Sequence, residues 1–461
     1  MRAENPLHFS NIKEIQQKIV KGQLSAEALV DSLLMEIDRL NPILKAYIKV
    51  IETARVDGRF ADQVSHKART LGNLHGVALS LKDIILTRGT STTAGSKLFD
   101  EGVSGKDALL VKRLRRAGAI FIGKTNLHEF ACGMTSENPH FGAVRNPWNQ
   151  SLIAGGSSGG SAVAVATGLC YGSVGTDTRG SIRIPSACCG ITGLKPTFGL
   201  VPTKGVIPLS WTLDHAGPMA RSVEDVARLL QALVGNRGSD YLSVLDTPPT
   251  MLRVAWCDYY FERLDSEVRD VVQEAKRVFE SLGIRIERVH INHLNEALDA
   301  SETIFLAEAI AYHDRCLQEK PEYYGVDVRK RLEAGYLVSG MDYVRAQRVR
   351  LRMKNEFKKV FRKFDCLIAP TLPCLPPPRG QDFININGKK ELILKAFARF
   401  NAPQNVGGVP ALTMNAGMSR SGLPIGIQLI AGHYREEVLF RLGSYFQRHT
   451  DWHLRYPSRI F

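Results

Sequence analysis

Short apolar runs of strand length, set between segments of helical periodicity, place the first limit on what this chain can fold into. Gly76-Val77-Ala78-Leu79-Ser80-Leu81 ends in the charges of Lys82 and Asp83. Ala119 to Ile122 follows a helical segment from Leu109 to Ala117, and Asp365 to Pro370 leads into a rigid proline-rich connection from Pro370 to Pro378. Strand signals resume at Gly407 to Leu412 and Pro424 to Ile430, and Arg285 to Val289 alternates in the same manner. Apolar runs this short, alternating with helices, indicate an α/β layer structure. Lys82 then stands at the end of a core strand.

The helical segments give the chain its organisation. Residues 10–40 read as two helices, the first carrying Ile12, Ile15 and Ile19, the second capped by Ser25 with Leu29, Leu33, Ile37 and Leu40 on one side. A polar stretch follows from Ala54 to Asn73. Gly235 to Thr250 is rich in loop formers, Ser266 to Leu282 is helical, and a long helical section runs from about Ile304 to Phe364. The expected arrangement is an N-terminal helical arm, residues 1–66, packed on a single compact unit of residues 67–461 that carries a mainly helical insertion at about 236–364.

Composition excludes several classes. The hydrophobic share of 44% and charged share of 23% are those of a globular protein with a sizeable core. The N-terminus lacks the apolar segment of a signal peptide, and the apolar stretch from Ala162 to Val174 is broken by Gly168 and Gly172, so a soluble, cytoplasmic protein without a membrane span is expected. Eight cysteines without paired spacing point to reduced thiols rather than zinc or disulfides, and no metal is expected. The net charge of +14 raises nucleic-acid binding. Much of that charge lies between Arg345 and Lys363, where Met353, Phe357, Val360, Phe361 and Phe364 recur at helical spacing. The basic residues are then the solvated face of an amphipathic helix.

One motif misleads. Gly118-Ala119-Ile120-Phe121-Ile122-Gly123-Lys124-Thr125 satisfies the phosphate-loop pattern, yet its four intervening residues are the apolar strand itself. Their N–H groups belong to the sheet and cannot also wrap phosphate.

Three other features carry chemistry. They are Lys82, the segment Gly155-Gly156-Ser157-Ser158-Gly159-Gly160-Ser161, and the segment Gly175-Thr176-Asp177-Thr178-Arg179-Gly180-Ser181-Ile182-Arg183. Cleaving an amide requires an activated nucleophile, a proton shuttle to the leaving amine, and donors for the developing oxyanion. A serine hydroxyl needs a base, and a lysine can serve if burial lowers its pKa from about 10.4 towards about 7 to 8.

In these segments the chain resembles the amidase signature hydrolases, which use a Ser-cis-Ser-Lys triad. Supporting matches include Gly123 to Asn126, Asn146-Pro147-Trp148, Gly193 to Thr197, Asp214 with Gly217-Pro218, and Leu423 to Ile430, so the similarity spans roughly residues 10–445. The resemblance implies an amidase signature fold, a large mixed central sheet with helices on both faces. It implies Ser181 as nucleophile, Ser157 as bridging serine after a cis peptide, and Lys82 as base. Backbone N–H groups of Thr178, Arg179, Gly180 and Ser181 would form the oxyanion hole. Cys132, Gly133 and the Phe400 to Asn405 segment are implied as pocket-lining, while Ser158 and Ser161 are structural and His215 has no role.

The family usually places glycine where this chain has Arg179. Either the guanidinium turns away into an ion pair, or it contacts a carboxylate or polar group of the substrate. The resemblance implies an amidase that hydrolyses a small-molecule carboxamide through a seryl acyl-enzyme without metal or cofactor. Its alternatives are the glutaminase component of a tRNA-dependent amidotransferase, with partner subunits, and a catalytically impaired member. A homodimer is compatible with the first reading, and nucleic acid enters only with the second.

Overall fold

Eleven strands form one mixed sheet whose order sets the ends of two central strands side by side. The computed structural model describes residues 7–65, 71–99, 102–235 and 238–458. Across the sheet the strands run Tyr47–Val50, Ile120–Thr125, Ala78–Lys82, Gly172–Asp177, His215–Ala220, Thr192–Lys195, Ala411–Met418, Pro424–Ala431, Cys366–Pro370, Val254–Trp256 and Ile286–Arg288. Ala78–Lys82 pairs in parallel with both neighbours. Parallel neighbours require crossovers, and the helices Leu109–Arg116 and Gly159–Ala166 lie in these connections. Every residue of Ala78–Lys82, Ile120–Thr125, Gly172–Asp177 and Pro424–Ala431 is buried, so both faces of the sheet centre are covered.

The expected α/β architecture is therefore present, and several elements sit where periodicity places them. Ile12–Val20 buries Ile12, Ile15 and Ile19, and Ala26–Leu44 is capped by Ser25, whose hydroxyl accepts from Ala28 N–H at 3.2 Å. The N-terminal helices are tied to the rest of the chain where Ile12 N–H donates to Asp225 at 2.8 Å and Arg221 donates to the Ser10 carbonyl at 2.6 Å. The false phosphate loop is the buried strand Ile120–Thr125, with Lys124 Nζ donating to the Ile85 carbonyl at 2.6 Å and to Thr92 Oγ1 at 2.8 Å. The basic segment is the helix Gly340–Val360, which buries Met353, Phe357 and Val360. No helix among the described residues is long and apolar enough to cross a membrane.

Other elements differ from expectation for identifiable reasons. Within the polar stretch, Ala54–Ser65 is a helix whose buried stripe is Ala54, Gly58 and Ala61. Small residues suit this close packing, since a Cβ on Gly58 would stand 3.0 Å from Glu27 Cα, but they give a weak hydrophobic signal. The Gly407 to Leu412 run divides between the end of the helix Ile393–Gly407 and a strand that begins at Ala411, with left-handed Gly408 between them. The long helical section opens earlier, at Leu294, and comprises Leu294–Glu319, Val326–Glu333 and Gly340–Val360. Phe383–Ile386 and Lys389–Leu392 form a separate hairpin about Asn387-Gly388, both with positive φ. The arm boundary at 66/67 and the start of the insertion at 236 lie outside the described residues.

Candidate active site

The carboxyl ends of Ala78–Lys82 and Gly172–Asp177 lie together, the place where α/β sheets commonly bind ligands. Lys82 is wholly buried there. Its Nζ donates to Ser157 Oγ at 2.7 Å and to Thr176 Oγ1 at 2.8 Å. Burial lowers its pKa to about 7, against the opposing pull of Asp214 and Asp177. The ammonium form is disfavoured because the nearest partners are neutral hydroxyls.

Ser157 follows a cis peptide bond from Gly156. Side chains are excluded around it: a Cβ on Gly156 would lie 2.8 Å from Ser136 N, and one on Gly160 would lie 2.4 Å from the carbonyl oxygens of Ala46 and Asn126. Ser157 O accepts from His128 N–H at 3.1 Å, and Ser158 N–H donates to Ser181 O at 3.2 Å, joining the two glycine-rich segments. Ser158 Oγ bonds the Thr176 carbonyl at 3.2 Å, and Ser161 Oγ meets Thr125 Oγ1 at 2.7 Å, as structural roles require.

The loop carrying Ser181 is wound around one carboxylate. Asp177 accepts from the N–H groups of Gly180 at 2.7 Å, Ile182 at 3.2 Å and Arg183 at 3.4 Å. Fully buried Arg183 grips both its oxygens, Nε at 3.0 Å and Nη2 at 3.1 Å, and is itself held by Asn405 Oδ1 at 2.6 Å. Burial acts to raise the Asp177 pKa, but Arg183, Lys195 and Asn405 outweigh it and hold the carboxyl well below its usual range. The Gly180 N–H is thus engaged by Asp177 rather than directed at a ligand, which corrects its expected place in an oxyanion hole. The N–H groups of Thr178, Arg179 and Ser181 are the ones in this loop that Asp177 does not hold. Gly180 itself has φ of +123°, and a Cβ there would meet Ile184 Cδ1 at 2.7 Å.

Asp214 supports the same loop from outside. It accepts from Thr178 Oγ1 at 2.6 Å and from the N–H groups of Leu209 and Ser210 at 2.8 and 3.0 Å, and burial raises its pKa to about 6. Neighbouring His215 places Nδ1 2.7 Å from the Leu213 carbonyl and forms no Ser-His-Asp arrangement.

Thr178, Arg179 and Ser181 line one small cavity together with Cys132, Gly133, Phe305 and Arg331. Its volume of about 20 Å³ holds roughly one water molecule. Cavities of about 360, 480 and 690 Å³ open elsewhere, and none of these three is lined by Lys82, Ser157 or Ser181. The Phe400 to Asn405 segment does not line the nucleophile's cavity; Asn401, Gln404 and Asn405 hold Arg183 instead.

The Arg179 guanidinium turns into an ion pair with Glu302 and also donates to Ser301 Oγ at 3.1 Å. Arg331 shares the same carboxylate at 3.1 Å and donates to the Cys132 carbonyl at 3.3 Å. Glu302, Phe305 and Arg331 are site residues that sequence reasoning missed. They come from the helices Leu294–Glu319 and Val326–Glu333, far along the chain and without a local motif.

The Amidase family model matches residues 28–440. The A subunit of glutamyl-tRNA(Gln) amidotransferase from Marinomonas sp. strain MWYL1 is 34% identical over 97% of this chain and 98% of its own length. A solved structure from a vestigial protein complex, described as revealing the evolutionary origins of an s-triazine catabolic enzyme, superimposes with a TM-score of 0.92 at 32% identity over 95% of this chain and 98% of its own. Peptide amidase from Stenotrophomonas maltophilia gives 0.83 at 28% identity, over 96% of this chain and 97% of its own. By the family model, by these relatives and by the shared fold, the chain belongs to the amidase signature family.

Proposed function

We propose that this amidase-family enzyme hydrolyses a linear carboxamide through an acyl-enzyme on Ser181. Neutral Lys82 withdraws the Ser157 proton while Ser157 takes the proton of Ser181. Ser181 Oγ attacks the carbonyl carbon, and the oxyanion is met by N–H groups of Thr178, Arg179 and Ser181. The relay then runs in reverse: Lys82 returns its proton through Ser157 to the leaving nitrogen as the carbon–nitrogen bond breaks. Water, deprotonated by the same path, attacks the ester, releases the carboxylic acid and restores Ser181. The observation that carries this reading is the 2.7 Å bond between Lys82 Nζ and Ser157 Oγ inside a site that lowers the lysine to about 7.

A second reading is favoured by a specific comparison, the amidotransferase relative that covers nearly the whole chain. In it the same relay releases ammonia from glutamine for use by partner subunits. Turnover of simple amides by the isolated chain supports hydrolysis, whereas glutaminase activity that depends on a copurified partner supports the second reading. Covalent labelling by a fluorophosphonate, abolished in Ser181→Ala, is expected under both; a folded sample that does not label contradicts both.

A further inference from the structure

Two cations and one anion meet beside Ser181. Arg179 and Arg331 both bond Glu302, and both guanidinium groups lie over the Phe305 ring, at 5.9 and 4.7 Å from its centre. Arg179 is 7% exposed and Arg331 18%, so neither is freely hydrated, while Glu302 is 39% exposed. Buried cations need partners, and here a single carboxylate serves two. Burial acts to raise the Glu302 pKa, yet the two arginines outweigh it and hold the carboxyl below its ordinary value.

The cavity at Ser181 has room for about one water molecule and is walled by Arg179, Phe305 and Arg331. An acyl group on Ser181 would lie directly against these walls. Glu302 ties the two arginine walls together, and it is the most exposed of the three. A neutral substrate that broke these bonds would leave two largely buried cations without their shared carboxylate. A carboxylate takes over the same planar donors.

We infer that Glu302 is an internal anion closing the acyl site, and that the substrate is an amide carrying a carboxylate that displaces Glu302 from Arg179 and Arg331. This rests on the amide-hydrolase reading above. It makes Glu302 a specificity-determining residue supplied by the helix Leu294–Glu319, and it assigns Arg179 a second role beyond its ion pair.

The test measures protection of Ser181 from fluorophosphonate labelling by succinamate and by its neutral counterpart succinamide. Wild type is expected to be protected by succinamate at a concentration at least about tenfold lower than by succinamide. Glu302→Gln, which keeps the shape and removes the competing charge, should lower the protecting concentration of succinamate by at least about tenfold and leave succinamide unchanged. Arg179→Gly, a variant that removes a receptor rather than the competing charge, should weaken the preference for the anion. Equal protection by the two compounds in wild type, or an equal effect of Glu302→Gln on both, overturns the inference. Absence of any Ser181 labelling counts against the amide-hydrolase reading instead, and calorimetric titration of the same two compounds into wild type and Glu302→Gln then decides this inference by itself.

Discussion

Lys82 Nζ lies 2.7 Å from Ser157 Oγ, and both residues are completely buried. The hydrogen-bond partners of this lysine are two hydroxyls, Ser157 and Thr176, rather than a carboxylate. The arrangement sacrifices the stability of an ion pair and yields a base that is neutral near physiological pH.

That sacrifice has a sign. Lys82 in the unfolded chain keeps a value near 10.5, and in the folded chain about 7. Between these values the unfolded state binds the extra proton, so stability attributable to Lys82 rises with pH across this window. Below about 7 its burial costs the most, and above about 10.5 the cost is gone. Chemical denaturation of wild type and Lys82→Met at several pH values should show wild type gaining on the variant as pH rises from 7 towards 10.

Ser157→Ala removes the proton bridge while leaving Thr176 as a partner for Lys82. The acylation step should slow by about 10²- to 10⁴-fold, with KM changed far less than kcat, because the bridging hydroxyl acts in the transition state. Steady-state kinetics on any turned-over amide checks this split.

Asp177→Asn breaks the Arg183 pair and leaves a fully buried guanidinium without its anion. Loss of one partner of a buried pair costs about 3 to 5 kcal/mol. The folded carboxyl sits below its unfolded value of 3.8, so this contribution is present above that value and is lost as pH falls beneath it. Denaturant melts at neutral pH should show the full loss, and the difference between wild type and variant should shrink in strong acid.

The strand-terminal lysine and the two glycine-serine segments were legible because each is local: an apolar run ends in charge, and glycines stand beside the serines. Asp177 stood in plain view within the second segment, but its role is set by backbone N–H groups of the turn that follows, and turn geometry is not written in residue type. Gly180 illustrates the same gap, since only the fold shows that its N–H faces Asp177. Glu302, Phe305 and Arg331 were hidden for another reason. They reach the site through packing of the helices Leu294–Glu319 and Val326–Glu333, and nothing within those helices marks which turn faces Ser181. The Ala54–Ser65 helix gave no apolar periodicity because its buried stripe is alanine and glycine.

Activation of Ser181 by Lys82 through Ser157 can be read from one rate constant, that for Ser181 phosphonylation by a fluorophosphonate, followed against pH in wild type and Lys82→Ala. Wild type should rise with pH through a midpoint near 7, where Lys82 becomes neutral, and then level off. Lys82→Ala should be slower by about 10²- to 10⁴-fold and lose that midpoint. A variant that kept both the wild-type rate and the wild-type midpoint would show that Lys82 is not the base.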